Sequence, residues 1–170
     1  QSNREKALQR LMTINILKRL ESCVDSFRIT VRKLLESNRK TLESILDYEK
    51  NKALHSMEFS QIDEDDFDND DFDLTNESTL GKVKIDFADM DLRSWKKDLK
   101  KDIDTLEILH DIMAFVTPEK DLKLQKLIEV IEDKIEHPFN EGNRKVLIFS
   151  AFADTTNYLY ECLSKRMKDK

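Results

Sequence analysis

From Arg4 to about Ser56 the chain runs without a single glycine or proline. Within that stretch apolar residues fall at Leu17, Leu20, Val24, Phe27, Val31 and Leu34, and the pattern continues through Leu42, Ile45 and Leu46. Steps of three and four place these side chains on one stripe, a helical seam of the coiled-coil type. The spacing predicts one very long helix, or two with a kink near Ser37-Asn38. A helix cannot bury its own stripe, because its stability comes mostly from packing against other elements. Partner helices are therefore required. Only two glycines and two prolines occur in 170 residues. Phosphate-cradling loops and tight hairpins need glycine. That scarcity, with 38% charged residues, argues for amphipathic helices rather than a compact α/β enzyme. The expected fold is mainly α: long antiparallel helices forming a bundle, with short strands at about 82–87 and 145–149.

The rest of the chain divides at changes of pattern. Glu58 to Ser78 is acidic with sparse Phe and Ile, and its charge density predicts a solvated, mobile loop. Lys82 to Phe87 alternates with period two, the pattern of a short strand. Asp89 or Asp91 can cap the next helix. The stripe of that helix runs through Leu92, Trp95, Leu99, Ile103, Leu106, Leu109, Met113 and Val116. Thr117-Pro118 reads as its end and as the start of a third helix, with Thr as cap and Pro at the first helical position. Leu124, Leu127, Ile128, Ile131 and Ile135 line that helix, and Pro138 and Gly142 stop it. Lys145 to Phe152 reads KVLIFSAF, a continuous apolar run of the kind found in strands buried on both faces. A last helix follows from about Asp154, with Tyr158, Leu159, Cys162 and Met167 on one side.

Net charge is −6, unevenly spread. Glu58 to Glu77 holds ten acids and no Lys or Arg, leaving 25 acids against 29 bases elsewhere. A mildly basic body permits nucleic-acid contact without arguing for it. Cys23 and Cys162 lie far apart in helical sequence and form no ligand motif, so small buried hydrophobes are favoured over a disulfide. No apolar run approaches the roughly 20 residues that span a bilayer, and no signal peptide is visible. The expectation is a cytoplasmic chain with no membrane partner. It opens Gln1-Ser2-Asn3 without an initiator Met and reads as a piece of something longer.

Catalytic motifs are scarce. Gly81-Lys82 is followed by Val83 and has no upstream glycine, so no GxxxxGK[ST] phosphate loop forms; GxGxxG and GxSxG are absent too. Asp63-Glu64-Asp65-Asp66 looks like a helicase acidic box, but it lacks the preceding apolar strand that would aim a carboxylate at Mg²⁺. Asp66, Asp68, Asp70 and Glu77 match calcium-loop positions, yet Asp71 stands where glycine makes the sharp turn. Glu107 and His110 have the Glu-x-x-His spacing of di-metal bundles without the second motif those sites need. His55 and His137 have no companions. The reading is no catalytic residue, no cofactor and no metal in this chain.

Three stretches resemble the Swi/Snf-related branch of superfamily-two helicases, bacterial members above all. LMTINILKRLESCVDSF, Leu11 to Phe27, resembles the helix leaving the first motor lobe. DLKLQKLIEVI, Asp121 to Ile131, is similar to the helix leading into the second RecA-like lobe. KVLIFSAFADTTNYLYECL, Lys145 to Leu163, resembles the first strand and helix of that lobe. They cover about a third of the chain and follow the family's order; Thr41 to Val116 would be a variable helical insertion. The resemblance implies this division: 1–57 the helix leaving the first lobe, 58–81 an acidic loop, 82–137 a helical bridge, 138–170 the start of the second lobe. It also implies a parent ATPase acting on duplex DNA, with ATP and Mg²⁺ bound by motor lobes outside this stretch. Ser150 is the residue it marks for contact with a nucleic-acid backbone, since small hydroxyls bond phosphate; a cap or turn hydroxyl is the alternative.

The implied function is a non-catalytic helical segment coupling the two lobes of such a motor. The alternative is a free-standing helical protein–protein interaction module with an acidic loop. KVLIFSAF discriminates between them, because an interaction bundle has no use for a two-sided apolar strand. Alone, such a strand leaves backbone groups unmet. Pairing with Val83 to Phe87, pairing with a second copy in a homodimer, or absorption into the helical core would each answer that demand.

Overall fold

The computed structural model describes residues 3–51, 56–61 and 81–167. The chain is mainly α. Helices α1 (Asn3–Ser22) and α2 (Val24–Asn51) lead to strands β1 (Ser56–Gln61) and β2 (Gly81–Asp86). Helices α3 (Leu92–Ala114), α4 (Leu122–Glu136) and α5 (Ala153–Arg166) follow.

The long glycine-free stretch is two helices, and it breaks at Cys23 rather than near Ser37-Asn38. Nothing at Ser37 disturbs the ladder: Thr41 Oγ1 simply donates to the Ser37 carbonyl at 2.9 Å. At Cys23 a side chain enters the ladder. The Ser26 amide, which would reach back to Ser22 in an unbroken helix, donates to Cys23 Sγ at 3.2 Å instead. A side chain inserted into the backbone ladder is a known cause of kinks.

Helices α2 and α3 run antiparallel. Lys96 Nζ meets Glu49 Oε1 at 2.6 Å, and Arg39 meets Glu107 Oε1 at 2.6 Å, so positions rise along one helix as they fall along the other. Between them lies the tightest packing among the described residues: Ile45 at 0%, Phe87 at 1% and Leu99 at 6% exposure. Leu42, Tyr48, Leu92 and Trp95 pack around them. Phe87 belongs to a 3-10 turn, Phe87–Asp89, whose cap Asp86 accepts the Ala88 amide at 2.9 Å. Its ring sits 5.4 Å from Tyr48 and 6.3 Å from Trp95, both tilted, the offset geometry aromatic pairs prefer.

The ribbon joining the two helices is antiparallel, with Met57 opposite Ile85 and Phe59 opposite Val83. Residues 58–61 of the acidic stretch therefore lie in a strand, not a loop, because their backbone groups find partners on β2. Among the described residues β2 pairs with β1 and not with residues 145–149. Residues 62–80, with the acidic box and the calcium-like pattern, lie outside the described residues, as does His55.

Aspartates set the starts of α3 and α4. Asp91 Oδ1 accepts the Ser94 amide at 3.1 Å. The fourth helix does not start at Pro118. Thr117 to Lys120 forms a turn closed by two amides on the Thr117 carbonyl, and Asp121 Oδ1 accepts from both Lys123 and Leu124 at 3.0 Å. A carboxylate taking two of the orphan amides at a helix start outcompetes the Thr-Pro signal.

Residues 143–150 belong to no helix and pair with no strand among the described residues. The strand expected at 145–149 is thus an extended segment without neighbours. Leu147 is 83% and Phe149 90% exposed.

Truncating Phe87 tests the α2–α3 core. Phe87→Ala should cost about 3–5 kcal/mol, the range for a large buried aromatic. Guanidinium unfolding should show a lower midpoint, and a change under about 1 kcal/mol would mean that this ring does not hold the pair together.

Candidate functional site

The kink at Cys23 creates a joint where α1, α2, α4 and α5 converge. A helix that stops leaves carbonyls without partners. Here the carbonyls of Glu21 and Ser22 both accept from Lys123 Nζ, the latter at 3.1 Å. A cation at a helix C-terminus also complements the helix dipole. Lys123 stands in the first turn of α4, so this contact locks the start of α4 onto the end of α1.

One turn back on α1, Arg19 reaches α5. Its Nη1 donates to Asp154 Oδ2 at 2.9 Å and to Ser26 Oγ at 3.4 Å. Its guanidinium also lies 5.0 Å over the Phe152 ring. The Arg19 side chain is buried while Asp154 is about a third exposed. An enclosed charge of this kind is held in place by its partners, and removing one leaves it uncompensated.

Small hydroxyls fill the space between. Ser22 Oγ and Thr155 Oγ1 are 2.8 Å apart, and Thr155 Oγ1 donates to Cys23 Sγ at 3.5 Å. Tyr158 closes the far side, its hydroxyl donating to Asp121 Oδ2 at 3.0 Å. Burial, and then the Asp121 carboxylate, push the Tyr158 hydroxyl well above the ordinary tyrosine range. Burial raises the Cys162 thiol as well. Both cysteines are free, and Cys23 is buried.

Ser150 sits at the edge of this joint. Its Oγ accepts the Phe152 amide at 3.2 Å, a turn hydrogen bond, and lies 3.5 Å from Ser22 Oγ. The segment leading to it lies along two apolar grooves. One, of about 540 Å³, is lined by Leu124, Leu127, Val130, Ile148, Phe149 and Leu159 among others. The second, about 330 Å³, runs along α5 past Ile148, Leu159, Tyr160, Leu163 and Met167.

The other sequence candidates are dispersed. Glu107 is engaged by Arg39, His110 Nδ1 lies 3.6 Å from Asp111, and His137 Nδ1 lies 3.1 Å from Asp133. Among the described residues no group of three or more His, Cys, Asp or Glu could hold a metal ion. No helix there is long and apolar enough to cross a membrane. Within the joint Arg19 meets Asp154, Lys123 meets two carbonyls, and Asp121 accepts two amides and the Tyr158 hydroxyl.

Sequence reasoning missed Arg19, Ser22, Asp121 and Lys123 as a set. A signal was present. Asn15, Arg19, Ser26 and Thr30 are all buried and follow helical spacing, so a polar stripe runs beside the apolar one.

Tyr158→Phe should cost about 1.5–3 kcal/mol at pH 7, the range for a hydrogen bond to a charged group. The sign of the pH dependence follows from the raised hydroxyl. Its stabilisation is fully present below the unfolded tyrosine value of about 10 and is lost as pH climbs above it. Urea melts from about pH 7 to 11 should show the native chain weakening above about pH 10 more steeply than the Phe variant; parallel curves would refute this role. Compared with protein-family models, with curated proteins and with solved structures, the chain matches none.

Proposed function

We propose that this chain is a non-catalytic helical segment of a helicase-like, nucleic-acid-dependent ATPase, coupling its two motor lobes. The observation that carries this reading is the extended run Lys145 to Phe149, followed shortly by α5. Its four apolar side chains, Val146 to Phe149, are each more than a third exposed, and its backbone pairs with no strand among the described residues. A strand leading directly into a helix, apolar on both sides, is the unit from which parallel sheets covered by helices are built. The other end of the chain supports the same reading. On α1, Ile14 and Leu17 are half exposed and Leu20 more than a third, so this helix also presents apolar surface outward.

In this reading α1 leaves the first lobe, α5 opens the second, and the joint at Cys23 ties them. Arg19 to Asp154 and Lys123 to the end of α1 make that tie short and ionic, suited to passing rigid-body rotation between lobes. The α2–α3 pair is the long antiparallel part of a helical bundle inserted between the lobes. ATP and Mg²⁺ belong to the lobes, and duplex DNA is the partner of the whole motor. Ser150, beside the joint, is the hydroxyl proposed to meet a nucleic-acid backbone.

The test is the full protein encoded by the gene. It should carry a GxxxxGK[ST] loop upstream of Gln1 and an arginine motif downstream of Lys170, and should hydrolyse ATP faster with duplex DNA. Arg19→Met in that protein should reduce the DNA stimulation while leaving basal hydrolysis in place. A gene without either motif would overturn the reading. The 170-residue chain by itself should give no micromolar binding heat with Mg·ATP; a measurable micromolar site would equally sink it.

The exposed run 145–149 could also be covered by pairing edge to edge with a second copy of the chain. Light scattering over a concentration series tests that pairing. A monomer at high concentration rejects the dimer, and a dimer that survives truncation before Lys145 shows that this strand does not join the copies.

A further inference from the structure

Helix α3 has two faces with separate tasks. Leu99 and Ile103 are buried, and Leu92 and Trp95 pack on the α2 core. On the opposite side, at helical spacing, stand Arg93, Lys97, Lys100 and Lys101, all exposed. None of these four takes part in a salt bridge among the described residues, whereas Lys96, turned toward α2, holds Glu49. Farther along the same outer face come Ile108, Ile112 and Phe115, each more than half exposed. Asp104 marks the boundary between the halves, and Asp111 flanks the apolar one beside His110. At 1.5 Å per residue the basic half is about 12 Å long and the apolar half about 10 Å.

We infer that this outer face of α3 docks an acidic polypeptide segment carrying aliphatic or aromatic anchors. Charge complementarity selects the acidic character, since unpaired cations on a rigid helix attract and orient a chain of carboxylates. The apolar half selects a polypeptide over a nucleic acid. Phosphate contacts draw on cations and polar donors, whereas Ile108, Ile112 and Phe115 gain only from side chains that desolvate them, as anchors in a helix-face interface do. This surface is separate from the joint at Cys23 and does not depend on the motor reading.

The probe is a labelled synthetic peptide with the sequence of residues 58–77, which has ten acids among Phe, Ile and Leu residues. Titrated with the full chain in fluorescence polarisation, it should bind with a dissociation constant on the order of micromolar and weaken as salt rises. The double variant Lys97→Glu/Lys101→Glu should lose at least about tenfold, and Ile112→Asp independently about tenfold. Thermal melts of both variants should match the native chain, because these positions face away from the core. No binding, or binding that neither variant changes, overturns the inference. So does a duplex of equal charge that binds more tightly and is indifferent to Ile112→Asp, since that outcome assigns the face to nucleic acid.

Discussion

Two backbone carbonyls, those of Glu21 and Ser22, end α1 without partners of their own, and Lys123 takes both. Much of the arrangement depends on that contact. The Ser22 carbonyl is free because Cys23 Sγ captures the Ser26 amide. The kink lets α1 and α2 diverge, bringing Ser22 against Thr155 and Arg19 against Asp154. Without a cation at the break, two carbonyls would lose the bonds that a ladder gives them, and a straight helix would be the better solution. The joint thus exchanges two bonds of a helix ladder for contacts that bind three other helices.

The α2–α3 pair obeys a different rule. It is held by apolar packing around Ile45, Phe87 and Leu99, with ion pairs at either end that fix direction more than they add stability. The pair and the joint share α2, the joint at its start and the apolar core farther along it. Buried and exposed surfaces are kept apart. Both faces of α3 illustrate it, the inner one closing the core and the outer one left to water.

The extended run at 145–149 leaves two physical demands open within the fold. Backbone groups in a protein pair with one another or with water, and apolar side chains of this size are seldom left exposed in a contiguous patch without purpose. Leu147 and Phe149 expose such a patch next to two apolar grooves. A neighbouring strand would answer both demands at once.

Local rules in the sequence determined the elements themselves. Three-and-four spacing over Leu17 to Leu46 set the first two helices, Asp91 and Asp121 lay where carboxylates cap helices, and the scarcity of glycine excluded phosphate loops before any coordinates. Those features rest on interactions within a turn or two of the chain, and a sequence displays them directly. What only the tertiary structure decided was where contacts distant in sequence override the local pattern. The break fell at Cys23 and not at Ser37-Asn38, because Lys123, 101 residues beyond Ser22, was there to receive the freed carbonyl. The apolar run KVLIF has the composition of a strand, but a strand exists only where a neighbour supplies hydrogen bonds, and none among the described residues pairs with it. Arg19 became a buried joint residue through Asp154, which no spacing rule connects to it.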